Sequence, residues 1–165
     1  MYNIGDHVIY GVHGVCRILS QEERAVDRKK VLYLVLEPLE KPGARFYIPA
    51  HNQAALSKLW PVLSRQELDD LLVSDAASQD PWVESENLRK QRYRELINSG
   101  DRAALIGMIR SLYRHKESQI AAGKKFHMCD DNFLRDAEKM IKSEFSLVLQ
   151  IPADQVQAYI LAALS

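Results

Sequence analysis

The hydrophobic pattern of this chain changes its period once, near residue 64, and that change limits the possible folds more than any other feature. Before it, short apolar runs at residues 8–10, 31–36 and 46–48 are rich in β-branched and aromatic side chains, which is typical of strands. After it, apolar residues recur every three or four positions, as at Leu105, Met108 and Ile109, which is typical of amphipathic helices. The sequence therefore predicts an α+β protein with a strand half and a helix half.

Residues 1–63 are predicted to form one small β domain. Pro38, Pro42 and Gly43 interrupt the chain after its strongest strand. A last short strand over residues 59–63 contains a proline, which an edge strand tolerates. Short strands at such close spacing favour a small closed β barrel over an open sheet.

The rest of the chain is predicted to be helical. Residues 64–79 are predicted to be a short helix and a linker, because Ser64 and Glu67 form a capping-box pattern and the later residues are small and polar. Asp80-Pro81 predicts the start of another helix, since proline is favoured at the first helical position. Residues 80–165 are therefore predicted to form a C-terminal all-α helical bundle.

Charge is distributed unevenly along the chain, although the chain as a whole has no net charge. Lysine and arginine number 22 and so do aspartate and glutamate. Residues 89–125 contain ten basic and three acidic side chains, whereas residues 126–165 contain three basic and six acidic ones. The helical half therefore has a basic part and an acidic part, and the basic part suits an anionic partner.

Two histidines, a cysteine and three glycines fall within residues 5–18 and raise the question of a reactive site. Cys16 and His13 could act as nucleophile and base, but side chains three positions apart on a strand point to opposite faces. A free cysteine is also usually buried as a small apolar residue. Gly11 and Gly14 favour a tight turn with positive φ. We expect a strand, a turn and a strand, with an enzyme that uses Cys16 and His13 as the alternative.

The sequence predicts no catalytic site, no metal site and no cofactor. The histidines and cysteines lack the CxxC or HExxH spacing of metal sites, and no glycine-rich phosphate-binding motif is present. The chain starts without the pattern of a signal peptide and has no apolar stretch of membrane-spanning length. With only two cysteines, a cytoplasmic protein is expected.

Several stretches resemble the CarD family of bacterial transcription regulators. GDHVIYGVHGVCRI, followed by YLVLEPL and FYIPAHN, is similar to the start of that family and to the polymerase-binding domain of the transcription-repair coupling factor. Ser99-Gly100-Asp101 and residues 109–113 resemble the family's helical C-terminal domain. The resemblance implies a Tudor-like, SH3-like barrel that docks on the RNA polymerase β subunit. It also implies a helical domain that contacts upstream promoter DNA and modulates open-complex stability.

Within the barrel, the resemblance implies three polymerase-binding residues. Arg24 falls where the family has a basic residue that faces polymerase. Tyr47 occupies the position of the family's second arginine. Arg45, in the neighbouring turn, is expected to substitute for that arginine.

In the helical domain, the resemblance implies a tryptophan that wedges into the minor groove, where inserted aromatic or apolar side chains unstack a base step. Aligned without gaps from Ser99-Gly100-Asp101, that position is Glu86. Trp82 would serve as the wedge if the first helix of this domain is about one turn longer here. The alternative is that Trp82 packs on the bundle as an ordinary anchor.

Basic side chains on the first two helices of the bundle are predicted to contact DNA phosphates, because residues three or four apart share one helical face. They are Arg89, Lys90, Arg92, Arg94, Arg110 and Arg114. No base-reading motif is visible, so the contact is expected to be largely independent of DNA sequence. The rival function is a protein–protein adaptor that uses the same barrel and does not bind DNA.

Overall fold

The computed structural model describes residues 2–163, which form two compact units, one ending at Val62 and the other beginning at Leu63. The first contains β1 His7–Tyr10, β2 Val15–Val26, β3 Lys29–Pro38, β4 Phe46–Pro49, α1 Gln53–Leu56 and β5 Leu59–Pro61. The second contains α2 Arg65–Leu72, α3 Glu86–Ser99, α4 Arg102–Ala121, α5 Met128–Leu149 and α6 Val156–Ala162. Single 3-10 turns lie at Gly11–His13, Ala76–Ser78 and Ala153–Gln155. The predicted α+β class is confirmed.

The first unit is a five-stranded antiparallel sheet in the order β4-β3-β2-β1-β5. Its outer strands are β4 and β5, and no ladder joins them among residues 2–163, so closure into the predicted barrel is not seen. One face carries a cluster of buried apolar residues, because alternate side chains of a strand share a face. The core residues are Val8, Cys16, Ile18, Leu34, Leu36, Ile48 and Leu59.

Strands β2 and β3 extend beyond their neighbours as a two-stranded ribbon. Their register continues to the pair Val26 and Lys29, although a polar run from Ser20 to Glu23 follows the apolar part of β2. The strand continues because the backbone of both strands is paired while the side chains of residues 23–30 are exposed. Apolar alternation therefore underestimates the length of a strand that has solvent on both faces.

The opening stretch is a strand, a turn and a strand, as predicted. Gly11, the first residue of the 3-10 turn, and Gly14, which follows the turn, have φ values of 50° and 70°. The amide of Tyr10 donates to the carbonyl of Gly14 at 2.9 Å and closes the connection. Glycine is suited to both positions because other residues rarely adopt positive φ.

The helical unit begins with the predicted capping box. Ser64 accepts a hydrogen bond from the amide of Glu67, whose side chain accepts one from the amide of Ser64. The segment predicted as a linker packs against α4. Ala77 is fully buried, and a Cβ built on Gly107 of α4 would lie only 2.5 Å from the carbonyl oxygen of Gln79. Gly107 therefore allows a close backbone approach that a side chain would prevent.

Helix α3 starts at Glu86 and not at Asp80, which corrects the prediction from Asp80-Pro81. The carboxylate of Asp80 accepts hydrogen bonds from the amide of Trp82 and the hydroxyl of Ser111. These bonds hold residues 80–85 outside the helix, whose N-cap is Ser85. Gly100, at φ 68°, ends α3 and Asp101 caps α4. None of the helices in residues 2–163 is long and apolar enough to cross a membrane.

Candidate functional site

One face of the sheet presents an arginine and two tyrosines. Arg24 of β2 pairs in register with Val31 and Tyr47 of β4 with Val35, so the two side chains lie on the same face. The guanidinium carbon of Arg24 lies 4.2 Å from the ring centroid of Tyr47, and the ring of Tyr33 meets that of Tyr47 edge-on at 6.4 Å. The structure therefore joins two of the three predicted polymerase-binding residues, and we call Arg24, Tyr33 and Tyr47 the aromatic–arginine face.

This face is accessible to a partner. The Arg24 side chain is 52% exposed and is held by an ion pair with Glu22 at 3.3 Å, which solvent weakens. Tyr47 is 39% exposed, which leaves part of its ring open. Arginine and tyrosine are both enriched at protein interfaces, because they combine apolar contact area with hydrogen-bonding groups.

Arg45 is engaged elsewhere. Its guanidinium donates to the carboxylate of Glu37 at 2.7 Å and to the carbonyl of Ala44 at 2.8 Å. Glu37 also accepts from the amide of Gly43, and these bonds lower the pKa of that carboxyl. The side chain of Arg45 therefore closes the loop before β4. Its predicted contact with polymerase stays a prediction.

The structure argues against Cys16 as a nucleophile. Its side chain is fully buried in the sheet core, and burial raises the pKa of the thiol to about 11. The thiol is therefore protonated at neutral pH, whereas a nucleophilic cysteine reacts as the thiolate. His13 contacts Phe46 at 4.4 Å between ring centroids. No group of three His, Cys, Asp or Glu side chains placed to hold a metal ion occurs in the described part of the chain.

Arg89 is a structural residue of the helical unit and not an exposed phosphate contact, which corrects the prediction. It is 4% exposed, and its Nε and Nη2 donate to the two carboxylate oxygens of Asp130, each at 2.9 Å. Nη1 donates to the carbonyls of Val83 and Glu84. Burial disfavours the charge, but the hydrogen bonds and charge of Asp130 outweigh it and raise the pKa of Arg89. The guanidinium therefore connects α3, α5 and the segment before α3.

Trp82 is half-buried in that segment. Its indole stacks on the ring of His115, with 3.5 Å between centroids and 14° between planes, and the guanidinium carbon of Arg89 lies 4.2 Å from the indole centroid. The indole Nε1 donates to Glu84 at 3.2 Å. Burial lowers the pKa of His115, so its imidazole is mostly neutral at pH 7. These contacts favour packing for Trp82, and the wedge stays a prediction.

Arg110 is likewise buried, which corrects the prediction that it contacts DNA. It is 5% exposed and donates to the carbonyls of Leu72, Ala77 and Ile160 at 3.4, 3.0 and 3.0 Å. Burial lowers its pKa to about 10. The side chain therefore ties the end of α2, the 3-10 turn after it and α6 to α4.

The other predicted DNA-binding residues lie at or near the surface but not in one stripe. Lys90 and Arg94 share a flank of α3, whereas Arg92 lies roughly 200° from Arg94 around the helix. Lys90 pairs with Glu86, and Arg114, 60% exposed, pairs with Asp80. Arg92 and Arg94 are exposed and make no ion pair with another residue of the described chain.

Sequence reasoning missed Asp130 and His115, the partners of Arg89 and Trp82. Their pairings join residues 41 and 33 positions apart, so no local pattern predicts them. One signal was available for Arg89. It stands four residues before Tyr93 and eight before Ile97 on the inner face of α3, where both neighbours are buried or half-buried.

Comparison with known proteins covers both units. Residues 2–60 match a family model described as CarD-like/TRCF RID domain, and residues 72–161 match one described as CarD, C-terminal domain. A relative from Bacillus subtilis (strain 168), named "Putative transcription factor YdeB", is 24% identical over 172 residues, which cover 96% of this chain and 99% of the relative. The chain therefore belongs to the CarD-like family of transcription-associated regulators.

Proposed function

We propose that this protein regulates transcription initiation without an enzymatic step, by docking on the RNA polymerase β subunit through the sheet unit and contacting upstream promoter DNA through the helical unit. The aromatic–arginine face carries this proposal. It lies within residues 2–60, which match a domain shared by CarD-like proteins and the transcription-repair coupling factor. Such a regulator works in the bacterial cytoplasm and modulates the stability of the open complex.

The polymerase contact is assigned to Arg24 and Tyr47. Removing Arg24 from its weak pairing with Glu22 costs little, because the pair is exposed. On docking, the guanidinium can keep its contact with the Tyr47 ring while its outer N–H groups bind a carboxylate of the partner. The Tyr47 ring holds the guanidinium in place and so reduces the entropy lost on binding.

The DNA contact is assigned to Lys90, Arg92, Arg94 and Arg114 at the surface of the helical unit. Arg92 and Arg94 can meet phosphates without first breaking an ion pair with a described residue, whereas Arg114 must leave Asp80. With few phosphate contacts and no net charge on the chain, DNA affinity is weak on its own. Docking on polymerase raises the effective concentration of the helical unit at the promoter.

Trp82 is assigned a place in the same contact. Its indole is half-buried, and insertion at a base step would replace the stack on His115 with a stack on a base. The hydrogen bonds of Arg89 to the carbonyls of Val83 and Glu84 keep the segment in position during such an exchange.

The proposal is tested first by a pull-down of the purified polymerase β lobe with wild type, Arg24→Glu and Arg65→Glu. Arg65 is a matched control, because it is 56% exposed and makes a similar exposed ion pair with Asp69. We expect Arg24→Glu to weaken binding about ten-fold or more and Arg65→Glu to leave it unchanged. If wild type fails to bind, the sheet unit has another partner. If Arg24→Glu binds as well as wild type and Arg65→Glu, Arg24 is not part of the polymerase contact.

A DNA-binding assay distinguishes the proposed regulator from the alternative, a protein–protein adaptor. The regulator is expected to bind a forked duplex with an affinity that falls as salt concentration rises, because phosphate contacts release counterions. A pure protein–protein adaptor shows no such binding.

A further inference from the structure

The tip of the β2–β3 ribbon is the most basic exposed segment of the sheet unit. Between Arg24 and Lys30 the chain has four basic residues and one acidic one, Asp27, and every residue in this segment is exposed. Apart from the pair of Arg24 with Glu22, no ion pair engages these basic side chains within residues 2–163. The sheet unit thus holds a concentrated positive charge in a chain with no net charge.

The turn at this tip has an arginine at a position where the backbone favours glycine. Asp27 and Arg28 have φ values of 50° and 66°, and they join paired residues Val26 and Lys29 as a two-residue hairpin loop. A two-residue loop with positive φ at both central positions is a type I′ turn, for which Asp-Gly is one of the preferred pairs. Asp27 suits the first position, but arginine at the second is strained. Backbone strain at a residue other than glycine is a reason to look for a function of its side chain.

We infer that this ribbon tip is a second nucleic-acid-binding surface, in which Arg28, Lys29 and Lys30 contact the phosphates of duplex DNA. A two-stranded ribbon is narrow enough to approach the major groove of B-DNA. The tip carries no aromatic anchor, and lysine is depleted at protein interfaces, so its composition favours phosphate over a protein surface. This inference goes beyond the proposed function, which assigns DNA contact to the helical unit alone.

The inference makes stability and binding respond in opposite directions to one substitution. Arg28→Gly creates the favoured Asp-Gly pair, so we expect the melting temperature of the chain to stay the same or rise. The same change removes one phosphate contact. In fluorescence anisotropy with a blunt DNA duplex and no polymerase, we expect affinity to fall about three-fold and the slope of log K against log salt to fall by about 0.9.

A charge-matched pair of variants separates the tip from the overall charge. Lys29→Gln/Lys30→Gln is expected to weaken duplex binding about ten-fold and to lower the salt slope by about 1.8. Lys41→Gln/Lys58→Gln removes the same charge from two other exposed lysines of the sheet unit and is expected to change binding much less.

Three outcomes would overturn the inference. One is that wild type does not bind the duplex. Another is that the two double variants bind it equally well. The third is that Lys29→Gln/Lys30→Gln loses the polymerase β lobe in the pull-down but keeps the duplex, which would assign the tip to an acidic protein surface. Because the duplex assay contains no polymerase, failure here is distinct from failure of the Arg24→Glu pull-down.

Discussion

The two units of this protein differ in whether they bury arginine side chains, and among residues 2–163 only the helical unit does so. In the sheet unit, Arg24 and Arg45 lie at the surface in ion pairs with carboxylates that are themselves partly exposed. In the helical unit, Arg89 and Arg110 are at least 95% buried and connect separate helices. A run of basic residues in a sequence is therefore poor evidence for a basic surface until the carboxylates and backbone carbonyls near each side chain are known.

The difference follows from how each unit satisfies its backbone. Strand ladders pair most carbonyl groups of a sheet, whereas every helix leaves its last carbonyls without an intrahelical partner. Arg110 donates to carbonyls of Leu72, Ala77 and Ile160, all at or close to the ends of short helical segments. A buried guanidinium with several donors can satisfy such carbonyls together, and the negative ends of helix dipoles favour its charge.

Substitution of Arg89 is expected to give the largest effect and is the strictest test of the contrast between buried and exposed arginines. Arg89→Met removes the bidentate partner of Asp130 and leaves that carboxylate buried without its cation. We expect the free energy of unfolding of the chain to fall by about 3–5 kcal/mol, measured by urea denaturation followed by circular dichroism.

Two further variants show whether the ion pair itself is responsible. Arg89→Met/Asp130→Leu replaces both charges with apolar groups and is expected to recover most of the lost stability. Arg92→Met, on the exposed side of α3, is expected to change the free energy of unfolding by about 0.5 kcal/mol or less. If Arg89→Met is as mild as Arg92→Met, Arg89 is not a structural residue.

Arg110 should show a smaller but clear effect. Arg110→Met leaves the carbonyls of Leu72, Ala77 and Ile160 without their donor. We expect a loss of about 2 kcal/mol in the same denaturation assay, because there is no partner carboxylate to be stranded. Arg110→Lys keeps the charge but not the forked geometry, and we expect it to be intermediate. A full rescue by lysine would mean that charge alone matters at this position.

The smallest effect is expected at Arg24. Arg24→Ala removes an exposed ion pair and an exposed contact with Tyr47. We therefore expect the free energy of unfolding to fall by about 0.5 kcal/mol or less. Its effect on polymerase binding should be much larger. A loss of stability comparable to that of Arg110→Met would contradict the contrast between the two units.

Much of the local structure could be predicted from sequence. The change of period near residue 64 and the capping box at Ser64 both appear in the structure as expected. Each depends on residues within a few positions of one another. Segment 80–85 was wrongly predicted because Asp80 bonds to Ser111, on another helix, as well as to a neighbouring amide.

The candidate sites were predicted less evenly. Arg24 and Tyr47 were expected on one surface from the family resemblance, and the strand register places them together. The ribbon tip was not predicted from sequence. Its strands lack the alternation of apolar and polar residues that indicates a strand, and its turn lacks the usual glycine. A two-stranded ribbon is held by its backbone pairing, which side-chain patterns do not report.

The sequence by itself determined the α+β class, the family and the capping box that begins α2, because periodicity and caps act between near neighbours. Only the tertiary structure decided which basic residues are free to meet a partner. Asp130 neutralises Arg89 from another helix, and the carbonyls that hold Arg110 come from three separate segments. Long-range pairing assigned those two arginines to the interior and left Arg24, Arg92 and Arg94 to the surface.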